Sequence, residues 1–503
     1  MASRRDELNA YAYAKRRLVA QFLRPSPTGS EEGAPRPLRA VLPGVLVGAV
    51  VLAGFGVWGM FDPAAPRNWR KPYENIIVAR ESTTRYVVLT TNGKHKLHPV
   101  LNMASARLLV DGGDKKVVKV NDEILDRSGL ERGATVGIPY APDRVPERGE
   151  VGSRKLWAAC TRAQESGGRP RTTMFVLAER ERDEVENGHR LRGGQLLYVA
   201  TEDGRYVVDA TGTAYPIGTE DEVLLNQVVG ARRVPQRVPK EWLRTLHRGS
   251  EIVVPDVPGA GRPSRVPGLR GHARTVGRVL ATGRGGSAPH YVVLAGRVVP
   301  VSPFVAYLLL NSKKLEHLGQ GGSAEQVSRF FAVGADFAPY EKSWPRYAPQ
   351  PVAPARTTLC TVLRSVDGTH GTIALSTWAA PDFPRPLPTG TASAYVTPGS
   401  GQYFRQISGT RTDTGPYFLL TDTGLRHSLQ VGGFALATDA KPGGGPDLTS
   451  EKVPKGGRAP LKTAQELLGY EGVKAAPVPA VWSSLLPTGP RLSTGGAVQM
   501  QGS

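Results

Sequence analysis

The sequence predicts a mixed α/β, β-rich protein held at a membrane. An N-terminal amphipathic helix and one transmembrane helix precede an extracytoplasmic domain of four small β-hairpin/helix repeats around a discontinuous, disulfide-tied central domain. Three observations lead there: an uncharged apolar stretch at 41–61, a hairpin pattern that recurs four times, and two cysteines flanking two whole repeats.

At 503 residues the chain exceeds what one hydrophobic core organises, so several domains are expected. It holds 59 glycines and 42 prolines, about a fifth of all residues, which suits short strands and many turns better than a helical bundle. The formal charge of +20 attracts nucleic acid, anionic lipid or anionic cell-wall polymer without discriminating among them.

The first element is a helix in SRRDELNAYAYAKRRLVAQFL, residues 3–23. Ser3 and Asp6 give it a capped, acidic start, and Leu8, Tyr11, Leu18 and Phe22 recur at helical spacing. Lys15, Arg16 and Arg17 form a basic cluster, and Pro25 and Pro27 end the helix. A basic amphipathic helix beside a membrane lies on anionic lipid or docks on a partner. The sticky face favours docking, with Tyr11, Arg16, Arg17, Leu18 and Phe22 as the candidate contacts.

The second element is VLPGVLVGAVVLAGFGVWGMF, residues 41–61, with no charged side chain in 21 positions. At roughly 1.5 Å per residue, a helix of that length spans the ~30 Å hydrocarbon layer. Pro43 falls in its first turn, Trp58 sits near its far interface, and Gly44 and Gly48 form a G-x-x-x-G pair open to another helix. A cleaved signal peptide would carry a shorter apolar stretch nearer the N-terminus. Eight Lys/Arg against four acids in the first forty residues favour a cytoplasmic N-terminus and an extracytoplasmic bulk.

Beyond the membrane helix, one pattern starts at Arg85, Arg205, His290 and Pro416. Each copy opens on an aromatic (Tyr86, Tyr206, Tyr291, Tyr417), runs through β-formers, and turns at a glycine (Gly93, Gly212, Gly296, Gly424). In three copies a proline (Pro99, Pro216, Pro300) is expected to stop the second strand before a helix. One hairpin and one helix cannot bury enough surface alone, so the modules must pack on a common core. That core lies around Cys160 and Cys360, both in strand-like runs, and a pair of cysteines in an exported domain reads as one disulfide.

The expected segments are 1–40 (cytoplasmic helix and linker), 41–61 (membrane helix), 62–140 (repeat 1), 141–195 (central domain, first part) and 196–260 (repeat 2). They continue with 261–335 (repeat 3), 336–400 (central domain, second part), 401–440 (repeat 4), 441–490 (a segment packing on the central domain and repeats) and 491–503 (a disordered tail). No phosphate-gripping glycine loop, dinucleotide fingerprint or H-E-x-x-H is present, so no catalytic, cofactor or metal residue is assigned. His95 and His98 read as a solvated hairpin edge, and the arginines at 262–278 as a basic loop able to meet anionic wall polymer.

The residues 3–23, the single membrane helix, the repeated YVVLTTNGK…LHPVLNMASARLL and the C-terminal LGYEGVKAAPVPAVWSSLLPTGPRL together resemble the EccB family. EccB is a membrane component of the type VII (ESX) secretion system of actinobacteria. The resemblance implies a structural subunit of an inner-membrane channel, with an elongated, quasi-twofold ectodomain of four repeats that assembles with further copies of itself. It implies EccC, EccD and EccE as partners, a mycosin protease outside, and no nucleic acid. Some members are labelled ATPases, so ATP enters only through that label, and an ATP-hydrolysing component or a cell-wall-binding anchor are the alternative functions.

Overall fold

The computed structural model describes residues 4–23, 38–60, 65–66, 68–111, 117–163, 168–218, 221–283, 288–327, 343–387, 393–430 and 463–501. Two long helices come first, α1 (Arg4–Leu23) and α2 (Leu38–Met60). The side chains described on α2 are those of 41–56, all of them exposed. Among the described residues no helix is long and apolar enough to cross a membrane.

Five sheets follow. Four share a plan. In each, a strand leads into a tight hairpin, and a later strand returns to pair in parallel with the first. The returning pairs are Ile76–Ala79 with Val117–Val120, Gln195–Thr201 with Gln236–Arg237, Val279–Ala281 with Glu325–Gln326, and Gln402–Ile407 with Ala476–Pro479. We call these units 1 to 4. The hairpins turn at Gly93, Gly212, Gly296 and Gly424, with φ of +71°, +78°, +76° and +79°, a region that side chains beyond glycine adopt at a cost. A short helix follows each hairpin and is capped by a polar side chain. Asn102, Asp221, Ser302 and Thr463 accept from the backbone N–H of Ser105, Leu224, Val305 and Glu466 at 3.0, 2.9, 3.2 and 3.3 Å.

Two details differ from expectation. Pro300 lies inside the strand Arg297–Val301, paired with Tyr291; that strand is the edge of its sheet, where proline is tolerated. The expected disordered tail at 491–503 is ordered through Gln501. Leu492 and Ala497 are fully buried, Ser493 caps the turn Thr494–Ala497, and the N–H of Gln501 donates to the Thr135 carbonyl of unit 1. Its polar composition hid two apolar anchors at the right spacing. The apolar run at 431–440 in the expected repeat 4 lies outside the described residues.

The fifth sheet is the central one, built from two hairpins that meet edge to edge. Lys155–Arg162 turns into Thr172–Ala178, and Thr358–Val366 turns into Ile373–Ala380. The first strands of the two hairpins pair antiparallel, with Cys160 directly opposite Cys360. The chain leaving the first hairpin crosses to the far edge, where the N–H of Leu191 donates to the Thr377 carbonyl at 2.9 Å. The chain leaving the second hairpin makes the reverse crossing, and Ala394–Val396 pairs with Thr172–Ala178. This exchange gives the centre a quasi-twofold axis through the two cysteines.

One face of the central sheet carries Trp157, Met174 and Leu359 and packs on units 2 and 4 together. Unit 2 sends Trp242 beneath it, and unit 4 sends Trp482. A second apolar cluster joins unit 2 to unit 3, through Leu196 and Val207 against Val292 and Phe304. A third joins unit 1 to unit 4, through Ile76 and Val87 against Tyr403 and Leu419. The units are thus strung in the order 1, 4, centre, 2, 3.

Candidate interaction surfaces

The residues singled out in the sequence fall in three places. On α1, Leu8 and Leu18 are 65% and 68% exposed, Tyr11 is 72% exposed and Phe22 is 90% exposed. Leu8 and Tyr11 are three apart and Leu18 and Phe22 four apart, so they form one stripe along the helix. Arg16 and Arg17 are exposed beside it. Covering each of these apolar side chains is worth about 1.5–3 kcal/mol, so the stripe is a surface with a strong thermodynamic pull toward a partner.

On α2, Gly44 and Gly48 lie one turn apart, and a Cβ added at either meets nothing within 4 Å. Among the described residues no other element packs on them, and their face is open to close helix approach.

The third place is the quasi-twofold axis. Cys160 and Cys360 form a disulfide across the central pair of strands, closing a loop 200 residues apart in sequence. Both are fully buried, among Phe175, Val362 and Trp378. The bridge encloses units 2 and 3 and leaves units 1 and 4 outside the loop. Chemistry-bearing side chains around it serve structure: Tyr395 donates to Glu181 at 2.9 Å, Thr397 to the same carboxylate at 2.6 Å, and Arg385 pairs with Glu181 and Glu184. Burial pushes the Tyr395 hydroxyl up, and the Glu181 carboxylate adds to that push.

His95 and His98 do not form the expected solvated edge as a pair. His98 is buried; its Nδ1–H donates to the Ala134 carbonyl at 2.8 Å and its Nε2 accepts from Thr91 at 3.0 Å. Burial pulls its pKa down, with the Lys96 charge adding to the effect. No group of three or more metal-ligating side chains occurs among the described residues. A groove of about 700 Å³ is lined by Val78, Ala79, Arg80, Thr83 and Lys119, and one of about 570 Å³ by Trp69 with Arg70, Lys71 and His95.

Two recurring motifs escaped the sequence reading. Val238-Pro239-Lys240-Glu241-Trp242 and Val478-Pro479-Ala480-Val481-Trp482 place the tryptophans that seat units 2 and 4 on the centre, and their shared V-P-x-x-W spelling is a signal that could have found them. In three units a ring on the hairpin lies flat on a glycine of a following parallel segment: His98 on Gly133, Tyr215 on Gly249 and His427 on Gly489. The R-G-[AS] run at 132–134 and 248–250 marks two of them.

Comparison with known proteins gives a consistent result. An ESX-5 secretion system ATPase EccB5 of Mycobacterium tuberculosis is 28% identical over 326 residues, which span 62% of this chain and 59% of that protein. An ESX-3 secretion system ATPase EccB3 of the same species is 26% identical over 489 residues, 92% of this chain and 82% of that one. Among solved structures, a chain of an intact ESX-5 inner membrane complex matches with a TM-score of 0.55 and 21% identity, covering 100% of this chain and 96% of that one. The EccB3 dimer from the ESX-3 core complex matches with a TM-score of 0.53 and 21% identity, over 84% and 99% of the two chains. The family model for type VII secretion system ESX-1, transport TM domain B, matches residues 1–502, and the chain belongs to this EccB family of the type VII secretion system.

Proposed function

We propose that the chain is a single-pass, structural subunit of a type VII secretion channel, with α1 in the cytoplasm, α2 across the membrane and the five-sheet array outside. Its task in this reading is to tie the cytoplasmic side of the core complex to an extracytoplasmic assembly built from its own copies and from the other core subunits. The observation that carries it is the pairing of two unlike surfaces in one chain. An uncovered apolar stripe on α1 is joined, through α2, to a disulfide-closed array that buries its own core. The α2 backbone is 23 residues long, about 35 Å at the helical rise, and its exposed side chains over 41–56 are apolar or small, with no charge among them. A disulfide on the array agrees with oxidising surroundings for that part.

The relatives named above carry the word ATPase; the scaffold reading is the one that the α1 stripe and the disulfide-closed array support. Removal of residues 1–25 tests it. The truncated chain should insert and keep its disulfide while the other core subunits no longer co-purify with it in mild detergent. Undiminished co-purification would sink the docking role of α1. A single Phe22→Ser change should weaken the same capture by roughly tenfold or more, from the apolar area it uncovers.

A further inference from the structure

Unit 3 stands at the end of the array farthest along the packing order from unit 1 and α2. Its residues 261–327 hold nine lysines and arginines against two acids, Glu316 and Glu325, a concentrated share of the +20 charge of the chain. Six of the arginines (Arg262, Arg265, Arg270, Arg274, Arg278 and Arg297) make no ion pair among the described residues. Unit 2 also carries arginines in no ion pair among the described residues, such as Arg232, Arg237 and Arg244, but its residues 196–260 hold seven lysines and arginines against nine acids, so unit 3 is set apart by its excess of positive charge.

These arginines are fixed in place. The segment 261–264 pairs with 274–276 as a short ribbon: the N–H of Ser264 donates to Arg274 at 2.7 Å, and the N–H of Val276 to Arg262 at 2.9 Å. The loop between them is pinned by Val266, Leu269 and Ala273, which are buried against Leu280, Val293 and Val298. Arg265, Arg270 and Arg274 alternate with those anchors and are exposed. The N–H of Gly296 donates to the Ser264 carbonyl at 2.6 Å, which holds Arg265 beside the hairpin turn that carries Arg297. The side chain of Arg278 is half-buried, and its Nε has no acceptor. An ordered display of like charges repels itself, and it is relieved by an anion held in bidentate guanidinium contacts.

We propose that this face of unit 3 is a binding site for a polyanionic polymer outside the membrane, one carrying repeated phosphodiester or carboxylate groups. Two features select that ligand. Lipid headgroups lie at the other end of the array when α2 is the membrane helix. A protein partner is disfavoured because residues 261–327 expose no large hydrophobic side chain among those described, and protein interfaces are built around apolar and aromatic centres. A flexible polyanion needs only charge and hydrogen-bond donors, with affinity that falls steeply with salt.

The test uses the full chain in detergent with two probes, polyphosphate and polygalacturonate, at about 50 and 500 mM salt. The triple variant Arg265→Glu, Arg270→Glu, Arg274→Glu should bind the preferred probe at least about tenfold more weakly at low salt. The wild-type chain should lose its binding at high salt. A matched triple on unit 2, Arg232→Glu, Arg237→Glu, Arg244→Glu, carries the same net charge and should change binding by less than about threefold. Intact disulfide and unchanged thermal midpoint in both variants show that they are folded; if the unit 3 triple unfolds, Arg270→Ala alone replaces it, with a few-fold loss expected. Preference between the probes distinguishes phosphate from carboxylate. Equal loss in both triples, or no binding of either polymer by the wild-type chain, overturns the proposal. Binding to anionic vesicles that the unit 3 triple abolishes would overturn it in favour of lipid. The scaffold reading survives any of these results, since it is read from co-purification alone.

Discussion

Replacing Cys160 and Cys360 with alanine together removes a cross-link that closes a loop 200 residues apart in sequence. The chain-entropy relation gives about 5 kcal/mol for a loop of that length, an upper value because real denatured chains keep some structure. Alanine is the right replacement, since both sites are fully buried among apolar side chains and serine would bury an unpaired hydroxyl. The folded geometry of the central sheet should persist, because the two cysteines face each other on strands already paired from Trp157–Leu363 to Arg162–Thr358. The effect therefore falls mainly on the unfolded state. In urea the midpoint should drop while the slope rises, because the uncrosslinked chain exposes more surface on unfolding. Hydrogen exchange should locate the loss in the central sheet and in units 2 and 3, which the loop encloses, and spare unit 1. A double variant with the wild-type midpoint, or an equal loss of protection in unit 1, would refute this reasoning.

Other outcomes follow from the packing. Gly489→Ala places a methyl 2.3 Å from the His427 ring, and Gly133→Ala places one 2.2 Å from the His98 ring; each should cost about 1–3 kcal/mol by thermal unfolding, while Gly188→Ala, with nothing within 4 Å, should be neutral. Burial lowers the pKa of both His98 and His427, so the unfolded chain binds these protons first, and stability should fall as the pH drops through about 6.5 and level off below the folded values. His427 has the larger stake, since its Nδ1–H donates to Pro490 at 2.9 Å and its buried Nε2 has no partner; a His427→Asn variant should show a shallower pH dependence in the same denaturation series.

Much of this architecture is legible where local chemistry leaves one choice. The glycines at the four hairpin tips sit at positive φ, and T-N-G or T-G between alternating apolar residues has no comparable alternative. The two cysteines bracket the discontinuous centre for a similar reason. What escaped was set by distant packing. The strands that close each unit in parallel, such as Gln236–Arg237 and Glu325–Gln326, are too short to carry a period of their own. The segment 491–501 reads as polar, and it is ordered only because Leu492, Ala497 and Met500 meet units 4 and 1. His98 looked solvated because three of its neighbours in sequence are basic or histidine, whereas the strand alternation turns its ring inward onto Gly133. The stripe on α1 was readable as a face, but only its spacing is in the sequence; its exposure comes from the absence of any element packed on it among the described residues.

Topology is the statement on which the rest depends, and impermeant maleimide labelling of intact cells addresses it. Two exposed positions serve as probes, Asn9→Cys on α1 and Ser484→Cys on unit 4. Ser484→Cys should label in intact cells, Asn9→Cys only after permeabilisation, and the parent chain in neither case because its cysteines are joined. Labelling of both probes from outside would contradict a single crossing by α2, and labelling of Asn9→Cys alone would contradict a cytoplasmic α1.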